Sequence, residues 1–330
     1  MSKKHKNKQL REEYMDIDDR EDKAIDEALE TIDRTEDVEG GHGFIEEEIE
    51  DDHYLGGETD KEIGGKKEII NPGGDWRPYL PKSEYQRKNG VESMNCTNYG
   101  TYNAIEAINI KRYGKENEIN LGERFGGIRS GTTTRGNSPH TVAEVLRMDG
   151  AIHEKELPFD KTITSWKKYY SPKPMSSRLM NLAKNTFVDK YVFEHEWVYP
   201  KWLSISQKRV KLTQALERSP IGVAICARYR DRTDKDGCIY KLQNDPYNHW
   251  CVLVGYEVDK CWYVFDTYDQ FVKKLAWDYH FKYAKEYFFK KKTPTPKDGT
   301  VDGKYVKKGT WLKFRDFWHW IPKVGAWLKN

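Results

Sequence analysis

The sequence predicts an α+β fold in which helices and an antiparallel sheet form separate layers. Three observations predict it. Apolar residues recur at helical spacing after Cys96, after Ser138 and after Ser204. From Ile221 onward the pattern changes to short β-branched and aromatic runs separated by polar turns. The two patterns follow one another and do not alternate, which argues for segregated layers over a βαβ sheet.

In chain order, residues 1–70 read as an acidic, largely unstructured N-terminal extension. They hold 11 Lys+Arg against 24 Asp+Glu, while residues 71–330 hold 45 against 29. Within the extension, "DKAIDEALETIDR" places Ile25, Ala28, Leu29 and Ile32 at helical spacing, so one amphipathic helix is expected. Gly-Gly pairs recur at Gly40-Gly41, Gly56-Gly57, Gly64-Gly65 and Gly73-Gly74. They serve either as flexible linkers or as backbone thin enough to enter a narrow protease cleft. On the second reading the extension is a propeptide removed near Gly74. Oppositely charged parts also favour contact between the acidic extension and the basic body.

The body begins with "DWRPYLPKSEYQRKNGVESMNC", an aromatic, Pro-containing lead-in. After Cys96, Tyr99, Tyr102, Ile105 and Ile108 step at i+3, predicting one buried helix of about four turns. "SPHTVAEVLRMDG" predicts a second helix, with Ser138 as N-cap, Pro139 in its first turn and Gly150 ending it. "SISQKRVKLTQALERSP" predicts a third, ended by Pro220. Residues 160–203 carry no readable period. Strands are predicted over 221–229, 249–258, 261–268 and 284–291. Residues 293–330 form a basic aromatic extension. Its Trp311, Phe314, Phe317, Trp318, Ile321 and Trp327 suit either docking on a core or contact with a membrane surface or partner.

Composition excludes several classes. Five cysteines (Cys96, Cys226, Cys238, Cys251, Cys261) show neither a CxxC pair nor metal spacing, so neither a metal cofactor nor a disulfide framework is expected. The basic N-terminal residues are not followed by an apolar run, and no stretch reaches the length of a membrane span, so a cytoplasmic or virion-associated location is expected. Beyond its positive charge the body shows no nucleic-acid motif.

A thiol becomes nucleophilic where a helix N-terminus or an imidazole lowers its pKa. Cys96 has the first by position; alone, it would equally suit a small buried core residue. His249 opens the strand "HWCVLVGYEV", which would hold it rigidly, and Asp266 ends the next strand, within reach of the ring. His280 and Asp269 are weaker substitutes, and Cys251 and Cys261 are read as core residues.

"DWR", Cys96 at a helix start, "NSPHTVAEVLRMDGAIHEKELPF", "SPIGVAI", "NHWCVLVGYEVDKCWYVFDTY" and "YFFKK" follow one another as in papain-like cysteine peptidases, which the chain resembles from Asp75 to Lys291. Within that family it is most similar to divergent members from bacteriophage genomes. Cys96 and His249 are 153 residues apart, near the family's loose spacing of about 130–150. The resemblance implies a helical left subdomain and an antiparallel β-barrel-like right subdomain over 71–292. It also implies a Cys96–His249–Asp266 triad acting on protein or peptide substrates through a thioacyl-enzyme, without cofactor. The chain departs from the family in four places. "SMNCTNY" replaces "CGSCW". Gly90 stands where the oxyanion glutamine is usual, which leaves Gln86, Asn95 and the Cys96 N–H as donors. Asp266 replaces the usual Asn, and Tyr268 the shielding Trp. The alternatives are a papain-fold structural or virion-associated protein without activity, and a Cys/His cell-wall amidase or endopeptidase.

Overall fold

The computed structural model describes residues 43–46, 68–227, 232–268, 271–292, 300–301 and 304–305. The amphipathic segment at 22–34, three of the Gly-Gly pairs, Asp269 and the C-terminal aromatic stripe lie outside them. Two units form: residues 1–291, and residues 292–330. The second contributes the short hairpin of Thr300–Val301 and Lys304–Tyr305.

In the first unit the chain enters through β1 (Gly43–Phe44) and then, past the lead-in, a hairpin of β2 (Arg87–Lys88) and β3 (Val91–Glu92). Asn89 and Gly90 both take positive φ (57° and 79°) at its turn, the arrangement that Asn-Gly favours in two-residue hairpins. Helices α1 (Cys96–Tyr113), α2 (Glu123–Ser130) and α3 (Pro139–Asp149) follow, with β4 (Gly136–Asn137) between the last two. The short helices α4 (Trp166–Tyr169) and α5 (Ser177–Ala183) lead to β5 (Tyr191–Trp197). Helix α6 (Ile205–Leu216) then precedes β6 (Ile221–Ile225), β7 (His249–Glu257), β8 (Cys261–Phe265), β9 (Val272–Ala276) and β10 (Ala284–Lys291).

Local chemistry sets these boundaries. Ser138 caps α3 by accepting the Thr141 N–H at 3.1 Å, and Gly150 ends it at φ 80°. Ser204 and Gln207 form a capping box at α6. Six strands pair antiparallel in the order β5-β10-β6-β7-β8-β9. Strand β5 comes from the stretch without readable period. Its Glu194-His195-Glu196 core obscures the alternation of a half-buried strand, although it pairs with β10 along its whole length.

Helix α1 is the structural axis. Every residue from Cys96 to Ile110 is buried, so the helix is covered on all sides and not along a single stripe. Gly100 lets it approach β7: a Cβ there would lie 2.7 Å from Trp250 Cδ1. The lead-in is anchored by Trp76, fully buried, whose indole N–H donates to Leu216 O at 2.6 Å. Among the described residues no helix is long and apolar enough to cross a membrane.

Candidate active site

Helix α1 presents Cys96 as its first residue, at the positive end of the helix dipole. The Cys96 N–H lies in the first turn, where a helix supplies no acceptor of its own. Strand β7 presents His249 as its first residue, and pairing of His249 with Ile225 on β6 fixes its backbone. Asp266 follows the end of β8, where its N–H donates to Phe271 O at 2.7 Å and closes the turn into β9.

The three side chains converge. His249 Nε2 lies 2.6 Å from Asp266 Oδ1, and both residues are almost wholly buried. The other ring nitrogen, Nδ1, has no hydrogen-bond partner among the described residues. Burial works against charge on the His249 ring, but the Asp266 carboxylate and the Cys96 sulfur outweigh it and raise the ring to about 9. Burial likewise opposes ionisation of Asp266. His249 and Lys273 more than offset this and hold its carboxyl well below the usual range. Asp266 Oδ1 also accepts the Thr267 N–H at 2.6 Å, and Oδ2 accepts Lys273 Nζ at 2.5 Å.

Tyr268 covers the histidine, with ring centroids 5.1 Å apart. Its hydroxyl donates to Glu92 Oε2 at 2.9 Å and accepts from Gln86 Nε2 at 2.8 Å. Gln86 therefore sits near the site, but its amide is engaged: Nε2 also donates to Glu92 Oε1 at 2.9 Å, and Oε1 accepts from Thr267 Oγ1 at 2.7 Å. Asn95 ties α1 to its helical neighbours. Its Nδ2 donates to Glu123 O (2.8 Å) and to Tyr169 OH (3.0 Å), and its Oδ1 accepts from Asn98 Nδ2 (2.7 Å). Both side-chain amides expected as oxyanion donors thus have their N–H groups committed elsewhere.

Of the remaining candidates, His280 is engaged elsewhere and Cys251 is a buried neighbour of the site. His280 binds Tyr247 OH through Nδ1 and Lys208 through Nε2. Cys251 and Cys261 are buried, and burial pushes the Cys251 thiol well up. None of the five cysteines forms a disulfide. Lys273 and the Glu92 network were missed in the sequence. A lysine at an inward position of a strand, and the Asn-Gly turn that sets Gln86 at the foot of a hairpin, were the available signals.

A segment of the N-terminal extension lies across the thiol. Strand β1 pairs parallel with β4, and the Ile45 N–H donates to Asn137 O at 2.9 Å. A Cβ on Gly43 would fall 2.8 Å from Cys96 Sγ, and one on Gly136 would fall 2.2 Å from Gly43 Cα. Both glycines have φ near the positive extreme that side chains avoid (93° and 98°). Phe44 fills an aromatic pocket, stacked on Trp250 and edge-on to Tyr283, each at 5.5 Å, with Trp197 and Ala224 alongside. Glu46 pairs with Lys282 at 2.5 Å and accepts from Tyr283 OH at 3.0 Å. By contrast, Gly74, where removal of the extension was expected, packs on Leu216 and Tyr256.

No protein-family model and no curated protein matches the chain. Solved structures do. Xylellain, a cysteine protease from Xylella fastidiosa, is similar over 77% of this chain and 97% of its own, with 17% identity and a TM-score of 0.52. The digestive procathepsin L2 of Tenebrio molitor is similar over 75% and 78%, with 14% identity and a TM-score of 0.50. The class is therefore the papain-like fold, with mixed α+β architecture as the sequence predicts. At these identities the likeness defines the fold and leaves the chemistry to the residues of this chain.

Proposed function

We propose that the chain is a cysteine peptidase in which Cys96 is the nucleophile, His249 the base and Asp266 the orienting group. The observation that carries this reading is the line from helix start to strand start to turn: Cys96 heads α1, and the His249 ring that faces it is held by Asp266 at 2.6 Å. With Nε2–H bound to the carboxylate, Nδ1 accepts the thiol proton and a thiolate–imidazolium pair forms. The thiolate attacks the substrate carbonyl, and the Cys96 N–H, aided by the dipole of α1, supports the oxyanion. His249 then returns the proton to the leaving amine, and water hydrolyses the thioacyl-enzyme.

In the same reading, Gly43–Glu46 is an intramolecular occupant that holds the site closed until it is displaced. A glycine at the sulfur suits this, since the 2.8 Å approach leaves no room for a side chain.

Labelling with an active-site-directed epoxide or vinyl sulfone tests the reading on the full chain and on Phe44→Ala. A Cys96-dependent adduct is expected, faster in Phe44→Ala; no adduct in either would sink it. The commitment of the Gln86 and Asn95 amides specifically favours the second reading, a papain-fold protein without activity, which that negative result would support. Digestion of peptidoglycan in place of protein would identify a cell-wall amidase or endopeptidase.

A further inference from the structure

We propose that Lys273 is a positioning residue of this site: its ammonium neutralises Asp266 and so sets the pH range over which Cys96 and His249 carry charge. This rests on the ion pair of the peptidase reading and deepens it.

The placement is built by the β8–β9 turn. Val264 on β8 pairs with Lys273 on β9, and the Asp266 N–H closes the turn on Phe271 O at 2.7 Å. Along β9, Val272 and Lys274 face solvent while Lys273, Leu275 and Ala276 are buried. Lys273 therefore occupies a position where an apolar side chain would ordinarily sit. Burying a lysine is unfavourable unless its charge is matched, so the position calls for a specific partner. The partner is Asp266 Oδ2 at 2.5 Å, on the opposite oxygen from the one that holds His249. The lysine side chain is 6% exposed and that of Asp266 is 0% exposed.

Sulfur, imidazole, carboxylate and ammonium thus form one buried row. In the charged state of the site the row sums to zero: thiolate and carboxylate against imidazolium and ammonium. Without the ammonium the row carries a net negative charge with little water to screen it. Among the described residues, the other titratable groups facing this row include Cys251 from β7, Glu92 from β3, Tyr170 after α4 and Tyr268 after β8, and none of these four is cationic.

The sign follows. Removing the ammonium leaves the Asp266 charge uncompensated, which opposes the Cys96 thiolate and favours the His249 imidazolium. Both transitions therefore move to higher pH. A lysine that served packing alone would lower the folded fraction and leave the transitions in place.

The experiment is an ultraviolet titration of the Cys96-dependent thiolate, the full chain minus Cys96→Ala, for wild type, Lys273→Met, Lys273→Arg and the double variant Asp266→Asn/Lys273→Met. The thiolate midpoint of Lys273→Met is expected to rise by about one pH unit. Lys273→Arg should stay near wild type, and the double variant, which removes opposite charges together, should return toward it. An unmoved midpoint in folded Lys273→Met overturns the proposal. If Lys273→Met does not fold, the double variant decides: a wild-type-like midpoint supports charge balance, and failure to fold overturns it. These titrations need no substrate. Lys273-sensitive midpoints in a chain that cleaves no peptide would end the peptidase reading and leave this inference standing, whereas no Cys96-dependent thiolate in wild type overturns both.

Discussion

At the scale of single residues, the placement of Cys96 at a helix start, His249 at a strand start and Asp266 at a strand end was legible because the sequence marks those boundaries. The direction of the neighbouring amides was not. Gln86 stands ten positions before Cys96, and the sequence alone does not show that Glu92, Tyr268 and Thr267 take up its hydrogen-bonding groups. Two predictions belong here. His249 has its pKa raised from the ordinary 6.5 to about 9, so its charge favours the folded state fully below 6.5 and this contribution is lost as pH rises through 9. The alkaline limb of peptide cleavage should accordingly fall near pH 9, as should a loss of thermal stability that His249→Gln removes. A limb near 6.5 would show that Asp266 does not hold the ring. The second concerns Asp266→Asn, which leaves Lys273 without its carboxylate. It should lower kcat/KM by at least about tenfold and destabilise the fold by about 3–5 kcal/mol, the usual result of breaking a buried pair by removing one partner. Unchanged urea unfolding would contradict this.

At the scale of elements, strongly patterned segments were readable and short or charged ones were not. Helix α3 was foreseen because Ser138, Pro139 and Gly150 punctuate it, and α6 because its segment runs on to the stop at Pro220, although the helix itself ends at Leu216. Strand β5 was hidden by its glutamates, and the β2–β3 hairpin by its brevity, although Asn89-Gly90 announced a turn. The tyrosine and isoleucine spacing of α1 indicated a helix but not its burial on every side, which depends on how close β7 comes. That closeness is testable at Gly100. A methyl there would meet Trp250 at 2.7 Å, and Trp250 follows His249 directly. Gly100→Ala should cost about 1–3 kcal/mol by overpacking, despite its better helix propensity. Thermal melting is the measurement, and a stabilised variant would mean that α1 and β7 are not in contact at this point.

At the scale of the whole molecule, the charge split between residues 1–70 and the rest suggested that the extension meets the body, but charge does not hold the described contact together. The Glu46–Lys282 pair is partly exposed, with side chains 42% and 35% accessible, and such pairs are worth about 0–1 kcal/mol. Phe44 is 6% exposed in a pocket of aromatic rings, and burying such a side chain is worth about 1.5–3 kcal/mol. The aromatic anchor therefore dominates, and the segment should dissociate by local opening without unfolding of the body. If alkylation of Cys96 requires that opening, its rate tracks the open fraction. Phe44→Ala should then speed iodoacetamide labelling of Cys96 by about 10–100-fold, using 1.36 kcal/mol per decade. Lys282→Ala should change it by no more than about fivefold, and added salt should do no more than that substitution. Equal labelling rates for Phe44→Ala and wild type would mean that Gly43–Glu46 does not control access to the thiol. A larger effect from Lys282→Ala than from Phe44→Ala would return the contact to electrostatics, as the charge split alone suggests.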